Sequence, residues 1–236
     1  QPKGSLAPLF FIHPAAGVVF PYVELARRMG ESRPFIAIQA RGLDGLAAPD
    51  ATVEAMAARY VAAIRARQPR GPYHVAGFSF GCLVAYEVAC RLSEAGERVA
   101  LLGLLDEPAP VDGHRPAGAQ LAWLLGSGVA RSIWPHLHDY LYLRDTMLAG
   151  GGVGGRWRAF LARSVMAGYV PVEHRPMALR QPAIVPMADL FALHVRLSLR
   201  YAARPYAQRV TLLKVSRLGG NNGRDPTWGW SSLAAG

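Results

Sequence analysis

The apolar positions of this chain fall into short, unbroken runs separated by longer stretches of helical period. Leu9-Phe10-Phe11-Ile12 is the first run, closed by His13-Pro14-Ala15-Ala16-Gly17. An amphipathic stretch follows over residues 21–29, with Leu25 and Met29 four apart on one face. Phe35-Ile36-Ala37-Ile38 predicts a second strand. Thr52 then predicts an N-cap, although Ala55 stands where a capping box would place Glu. The helix behind it should cover residues 53–68 and stop at Pro69. Tyr73-His74-Val75-Ala76 predicts a strand that leads into Gly77-Phe78-Ser79-Phe80-Gly81. A helical pattern continues over 82–95, with Gly96 as its C′ residue. Val99–Leu105 is a further strand. Over residues 109–203 the alternation stops, and helical pieces, prolines, aromatics and a Gly150–Gly155 glycine run take over. Strand character returns at residues 210–215.

Strands that are apolar throughout and alternate with helices predict a parallel sheet covered on both faces. Right-handed crossovers place the strand C-termini on one edge, where ligands bind. His13, Ser79 and Asp106 each stand just past such an end. The five residues 77–81 read G-x-S-x-G between a strand and a helix, which is the nucleophile elbow of an α/β-hydrolase. A serine hydroxyl is a poor nucleophile until a sharp turn exposes it and aims backbone N–H groups at the developing oxyanion. Such a turn leaves no room for side chains at Gly77 and Gly81. The expected fold is therefore α/β: a mostly parallel hydrolase sheet with helices on both faces and a helical lid insertion. The first part of the core covers 1–108, the lid 109–203 and the second part of the core 204–236, with the last strand and helix of the fold expected to be missing.

Composition narrows this picture in three places. The length of 236 residues suits one domain with a sizeable insertion. No apolar run is long enough to cross a bilayer, so a globular chain is expected without a membrane. The opening Gln1-Pro-Lys-Gly-Ser reads as a linker from a longer polypeptide. The net charge of +10 comes almost wholly from arginines scattered through every segment, since Lys3 and Lys214 are the sole lysines. Without a nucleic-acid motif, that scatter argues against a nucleic-acid partner; a basic rim can instead steer an acidic protein. Cys82 and Cys90 are separated by about 12 Å of helix, beyond disulfide reach. An intracellular, reducing, cytoplasmic setting is therefore expected.

A serine nucleophile needs a base, an acid that orients the base, and an oxyanion hole. Asp106 and Asp225 compete for the acid. Asp106 leaves the strand beside the one that carries Ser79, so it ranks first. Asp225 follows the last strand, but Asp225-Pro226 also reads as the N-cap of a segment over 226–235. The oxyanion donors expected are the backbone N–H of Phe80 and that of Ala15, with Ala16 as second choice. The base is the gap. Of the seven histidines, His74 lies in a strand, His13 precedes the serine, and His114, His136, His138, His174 and His194 lie in the insertion. None follows the strand at 210–215, where this fold places its histidine. The chain as written is thus expected to turn over weakly. Trp134, His136, His138, Tyr140 and Tyr142 read as the lid's own aromatic core, and no metal site is expected.

Together, Leu9 to Gly17, Tyr22, Leu25-Ala26-Arg27-Arg28, Gly71-Pro72-Tyr73, the G-x-S-x-G, Ala85-Tyr86-Glu87, Leu104-Leu105-Asp106, Tyr201, Pro205-Tyr206, Val210-Thr211-Leu212-Leu213 and Asp225-Pro226-Thr227-Trp228-Gly229-Trp230 resemble the type I thioesterase domains of nonribosomal peptide and polyketide synthetases. The resemblance implies no cofactor bound by the domain itself. It implies an acyl or peptidyl substrate carried as a thioester on the phosphopantetheine of an upstream carrier domain. Ser79 would take the chain as an ester, and water or an internal nucleophile would release it as an acid or a macrocycle. In such domains the acid follows the strand after the nucleophile, which supports Asp106. A stand-alone editing (type II) thioesterase and a catalytically incomplete carrier-docking fragment are the alternatives.

Overall fold

The computed structural model describes residues 1–111, 184–214 and 225–235. Five parallel strands form one sheet in the order β2-β1-β3-β4-β5. They are β1 (Leu9–Ile12), β2 (Phe35–Ile38), β3 (Tyr73–Phe78), β4 (Val99–Leu105) and β5 (Thr211–Leu213). The described helices are α1 (Val23–Arg28), α2 (Val53–Arg67), α3 (Phe80–Glu94) and α4 (Ile184–Arg200), with 3-10 turns at Phe20–Tyr22 and Trp230–Ser232.

The period-2 alternation of a strand explains why both faces are covered. Phe10 and Ile12 of β1 join the larger core with Val75, Leu102 and Leu104, beneath α2, α3 and α4. Leu9 and Phe11 point the other way, into a smaller cluster with Phe35, Ala76 and Tyr22, against which Leu25 and Ala26 of α1 pack. Both faces of the central strands are covered, as the apolar runs require, while the edge strand β5 leaves Thr211 and Leu213 exposed.

The end signals act as the sequence predicts. Thr52 Oγ1 accepts from Ala55 N at 3.0 Å and opens α2. Helix α3 closes in a Schellman motif: Gly96, at φ 76°, donates to Ser93 O, and Glu97 N donates to Leu92 O. Two local expectations change. The segment after Asp225 is a turn plus one 3-10 turn rather than a helix over 226–235. The opening residues do not hang free as a linker, because Gln1 O accepts from Phe35 N at 2.8 Å and extends the edge of β2.

Helix α4 lies within the range 109–203, yet its Leu190, Phe191 and Leu197 belong to the main core. The chain that follows it is tied to α3 through the buried Glu87. That carboxylate accepts from Tyr201 Oη at 3.1 Å, Arg91 Nε at 2.8 Å and Arg204 at 3.1 Å. Trp230 Nε1 donates to Glu107 O at 2.8 Å and seats the last described segment over the end of β4. Residues 112–183 and 215–224 lie outside the described part. So do the glycine run at 150–155, the aromatic stretch at 134–142 and four of the histidines (His114, His136, His138 and His174).

Candidate active site

From β1 the chain moves outward to β2, then crosses back to place β3 on the other side of β1. The loops leaving β1 and β3 therefore diverge and open a crevice at the strand C-termini, the usual ligand position in a parallel sheet. The 13–17 loop and Ser79 border that crevice. Register puts Asp106 beside them. Phe78 pairs with Leu105, so Ser79 and Asp106 leave neighbouring strands at one level. Ser79 N donates to Leu105 O at 3.0 Å, and Asp106 N to Leu213 O at 2.8 Å.

Ser79 and Asp106 both sit in the left-handed region, at φ 53° and 59°. Non-glycine residues adopt it at a cost, and such positions concentrate at functional sites. At Ser79 the strain has a visible cause, the immediate reversal from β3 into α3. A Cβ on Gly77 would lie 2.1 Å from Gly81 O, and one on Gly81 would lie 2.6 Å from both Ile12 O and His13 O. The two glycines thus do different work. Gly77 lets the strand and helix fold back on each other, and Gly81 lets α3 press against the end of β1. Cys82 sits beneath the turn, with Sγ 3.1 Å from Gly77 O and accepting from Leu105 N at 3.1 Å. Both cysteines are buried thiols.

Phe80 opens α3, and Ser79 does not cap it with its side chain, so the Phe80 N–H is unused among the described residues. The first turn of α3 is therefore a donor surface next to the serine hydroxyl. On the facing loop, Pro14 O accepts from Gly17 N at 2.8 Å and from His13 Nδ1 at 2.8 Å. Ala15 O accepts from His194 Nδ1 at 2.7 Å. Carbonyl oxygens only accept, so both imidazoles carry their proton on Nδ1. His13 Nε2 then accepts from Tyr60 Oη at 2.7 Å. His194 stacks on Phe80 at 4.6 Å and on His13 at 5.1 Å between ring centroids.

His194 is the residue that sequence reasoning missed. No motif surrounds it, and its partner Ala15 is 179 residues away. It is not placed as the base: among the described residues its Nε2 has no hydrogen-bond partner, the Ser79 hydroxyl included.

Burial lowers His13 to about 3, helped by neighbouring His194 and by Arg59, and lowers His194 to about 4 against the opposing bond to Ala15 and the field of Asp50. Both values lie below the ordinary 6.5, so the unfolded chain binds protons that the folded one refuses. The stability held by these neutral imidazoles is complete above pH 6.5 and drains away as the pH falls towards 4 and then 3. Each pKa unit is worth about 1.4 kcal/mol. Urea midpoints should therefore decline between pH 7.5 and 4.5 by the equivalent of roughly 5 kcal/mol, about half from each imidazole. A His194→Asn chain should decline less steeply. A flat profile in the unaltered chain would contradict the assignment.

Asp225 is committed elsewhere. Its carboxylate accepts from Thr227 N at 2.8 Å, Thr227 Oγ1 at 2.6 Å and Gly229 N. These bonds, those of Thr227 foremost, hold its carboxyl below the usual range. Lys214 braces the same turn, donating to Pro226 O at 2.9 Å and lying over the Trp228 ring. Among the described residues no cluster of His, Cys, Asp and Glu could hold a metal ion, and no helix is long and apolar enough to cross a membrane.

The model of the family described as "Thioesterase domain" matches residues 7–125, half of the chain, and so spans the 13–17 loop, the elbow and Asp106. The chain belongs to the thioesterase domain family. Among curated proteins it is 46% identical over 109 residues to the nonribosomal peptide synthetase btyA of Aspergillus terreus, covering 46% of this chain and 12% of that protein. It is 42% identical over 107 residues to malpibaldin synthetase of Mortierella alpina, covering 45% of this chain and 2% of that protein. The chain thus matches only a small part of these synthetases' lengths. A four-domain nonribosomal peptide synthetase crystallised with AMP and glycine matches over 99% of this chain and 17% of its own, with TM-score 0.69 and 25% identity. The type II thioesterase BorB shares the fold at TM-score 0.66 and 18% identity, covering all of this chain and 83% of its own. A thioesterase-family α/β-hydrolase fold, with a five-stranded parallel sheet, is the common ground of these similarities.

Proposed function

We propose that this thioesterase domain releases an acyl or peptidyl chain from the phosphopantetheine thiol of an upstream carrier domain, through an ester on Ser79. The supporting observation is the strained Ser79 at the topological switch point. It is flanked by the unused Phe80 N–H and held level with Asp106 by strand register. Ser79 Oγ attacks the thioester carbonyl and gives up its proton to a base. The tetrahedral oxyanion is met by the N–H of Phe80 and by the loop N–H groups of Ala15 and Ala16, neither of which makes a hydrogen bond among the described residues. The C–S bond then breaks, and the pantetheine thiolate leaves with that proton. Water or a hydroxyl or amine of the chain itself attacks the ester in the second half, giving hydrolysis or macrocyclisation. Asp106 is assigned to orient that base, an imidazole in this fold, and to stabilise its charged form. Among the described residues neither His13 nor His194 is bonded to the serine hydroxyl, and the base is assigned to neither.

Similarity to synthetase domains favours the carrier-fed, chain-terminating role over a stand-alone editing thioesterase, and the capping bonds of Asp225 point the same way. The test is active-site labelling in the full-length native polypeptide. A fluorophosphonate should modify Ser79 alone, as read by peptide mass spectrometry, and Ser79→Ala should take up no label while keeping its thermal midpoint. A polypeptide inert to the probe would leave only a carrier-docking role, and label retained in Ser79→Ala would place the nucleophile elsewhere.

A further inference from the structure

The 13–17 loop is held by two buried imidazoles that the chemistry above does not consume. Each grips a different peptide plane. His13 Nδ1 donates to Pro14 O, and His194 Nδ1 donates to Ala15 O. In a trans peptide the N–H points opposite to the C=O. Fixing Pro14 O therefore aims the Ala15 N–H, and fixing Ala15 O aims the Ala16 N–H. Neither N–H makes a hydrogen bond among the described residues. His13 belongs to the loop and is braced by Tyr60 of α2. His194 comes from α4, the helix that closes the long segment between β4 and β5. Its ring lies flat on Phe80, 8° from parallel, so one side chain touches the first residue of α3 and the loop peptide that carries the Ala16 N–H.

We infer that His194 is a positioning residue for the oxyanion hole, locking the Ala15–Ala16 peptide against the first residue of α3 and so coupling α4 to acyl transfer. This rests on the acyl-transfer role of Ser79. The physics favours such a lock. An oxyanion donor contributes because it is oriented before charge develops, and loss of a whole donor costs about 10²–10³ in rate. A loop of small residues has no bulk of its own to hold a peptide plane. A buried neutral imidazole does so with one short bond and two stacked faces. The neutral state matters too, because a charge on His194 would sit against His13 in the same buried stack.

The test compares His194→Phe, which keeps the ring stack and removes the donor, with His194→Asn, which keeps an N–H donor. Fluorophosphonate labelling of Ser79 in the full-length polypeptide is resolved into probe affinity and maximal rate. Expected for His194→Phe is a drop of about tenfold in maximal rate, with affinity within about twofold and an unchanged thermal midpoint. His194→Asn should recover most of the rate. The Ala16 amide resonance should shift in the Phe variant and return in the Asn variant. If the unaltered polypeptide is labelled and His194→Phe matches it, the positioning role is wrong while Ser79 stands. The positioning role is equally wrong if both variants lose rate only in step with thermal stability. If the unaltered polypeptide takes no label, the acyl-transfer role fails, and the role of His194 fails with it.

Discussion

In the full-length native polypeptide, Asp106→Asn should lower thioester turnover by about 10³–10⁴-fold, whereas Asp225→Asn should stay within about threefold of the unaltered protein. The difference follows from what each carboxylate is attached to. Asp106 is buried at the end of β4, and its backbone is tied to β5 by the Asp106 N to Leu213 O bond. An amide there keeps the shape but cannot stabilise an imidazolium, and it can select the wrong tautomer of the base. Asp225 instead spends its oxygens on Thr227 and Gly229. Its loss should therefore appear in stability, as for other capping residues. An acyl-pantetheine substrate with free-thiol detection reads the turnover, and urea denaturation reads the stability. The reverse ranking, with Asp225→Asn inactive and Asp106→Asn active, would move the acid to the later position and favour the stand-alone editing class.

The second large effect is on folding. Gly77→Ala should cost at least 3 kcal/mol, beyond the ordinary range for overpacking, and leave much of the chain unfolded at 37 °C. The added carbon would meet Gly81 O at 2.1 Å, Gly81 C at 2.3 Å and Cys82 N at 2.7 Å. All three are backbone atoms of the first turn of α3, so no rotamer change relieves the overlap. Strand and helix would have to separate just where Ser79 is displayed. Gly96→Ala is the matched control. It carries a positive φ, which Gly77 does not, but a Cβ there meets nothing within 4 Å. Its cost should be confined to the backbone, near 1 kcal/mol. Far-ultraviolet circular dichroism and the urea midpoint distinguish the two, and a Gly77→Ala chain as stable as the Gly96→Ala chain would refute the steric account.

Much of the architecture was legible along the chain because its determinants are local. Phe35–Ile38 and Val99–Leu105 coincide with their strands to the residue, since each apolar run is bounded by residues that cannot continue it. Thr52 and Gly96 mark helix ends because capping uses atoms within a few positions. The elbow was legible for a similar reason. The G-x-S-x-G spacing is a steric requirement of one tight turn, and that requirement is written in five consecutive letters. After Asp225 the N-cap signal opens no helix, because such a signal states that a turn starts, not that it propagates. Here Asp225 accepts from Gly229 N, and Gly229 at φ 85° opens only one 3-10 turn.

By itself, then, the sequence determined the elbow and the order of strands and helices that places Ser79 and Asp106 at strand ends. The tertiary structure alone decided which distant groups meet there. Parallel strand register made Ser79 and Asp106 neighbours, because pairing between β3 and β4 depends on hydrogen bonds that no local pattern encodes. It also brought His194 from α4 onto Phe80 and Ala15, across a separation at which periodicity carries no information. The nucleophile turn is a property of five residues. The loop that faces it is held in shape by an imidazole from the far side of the chain.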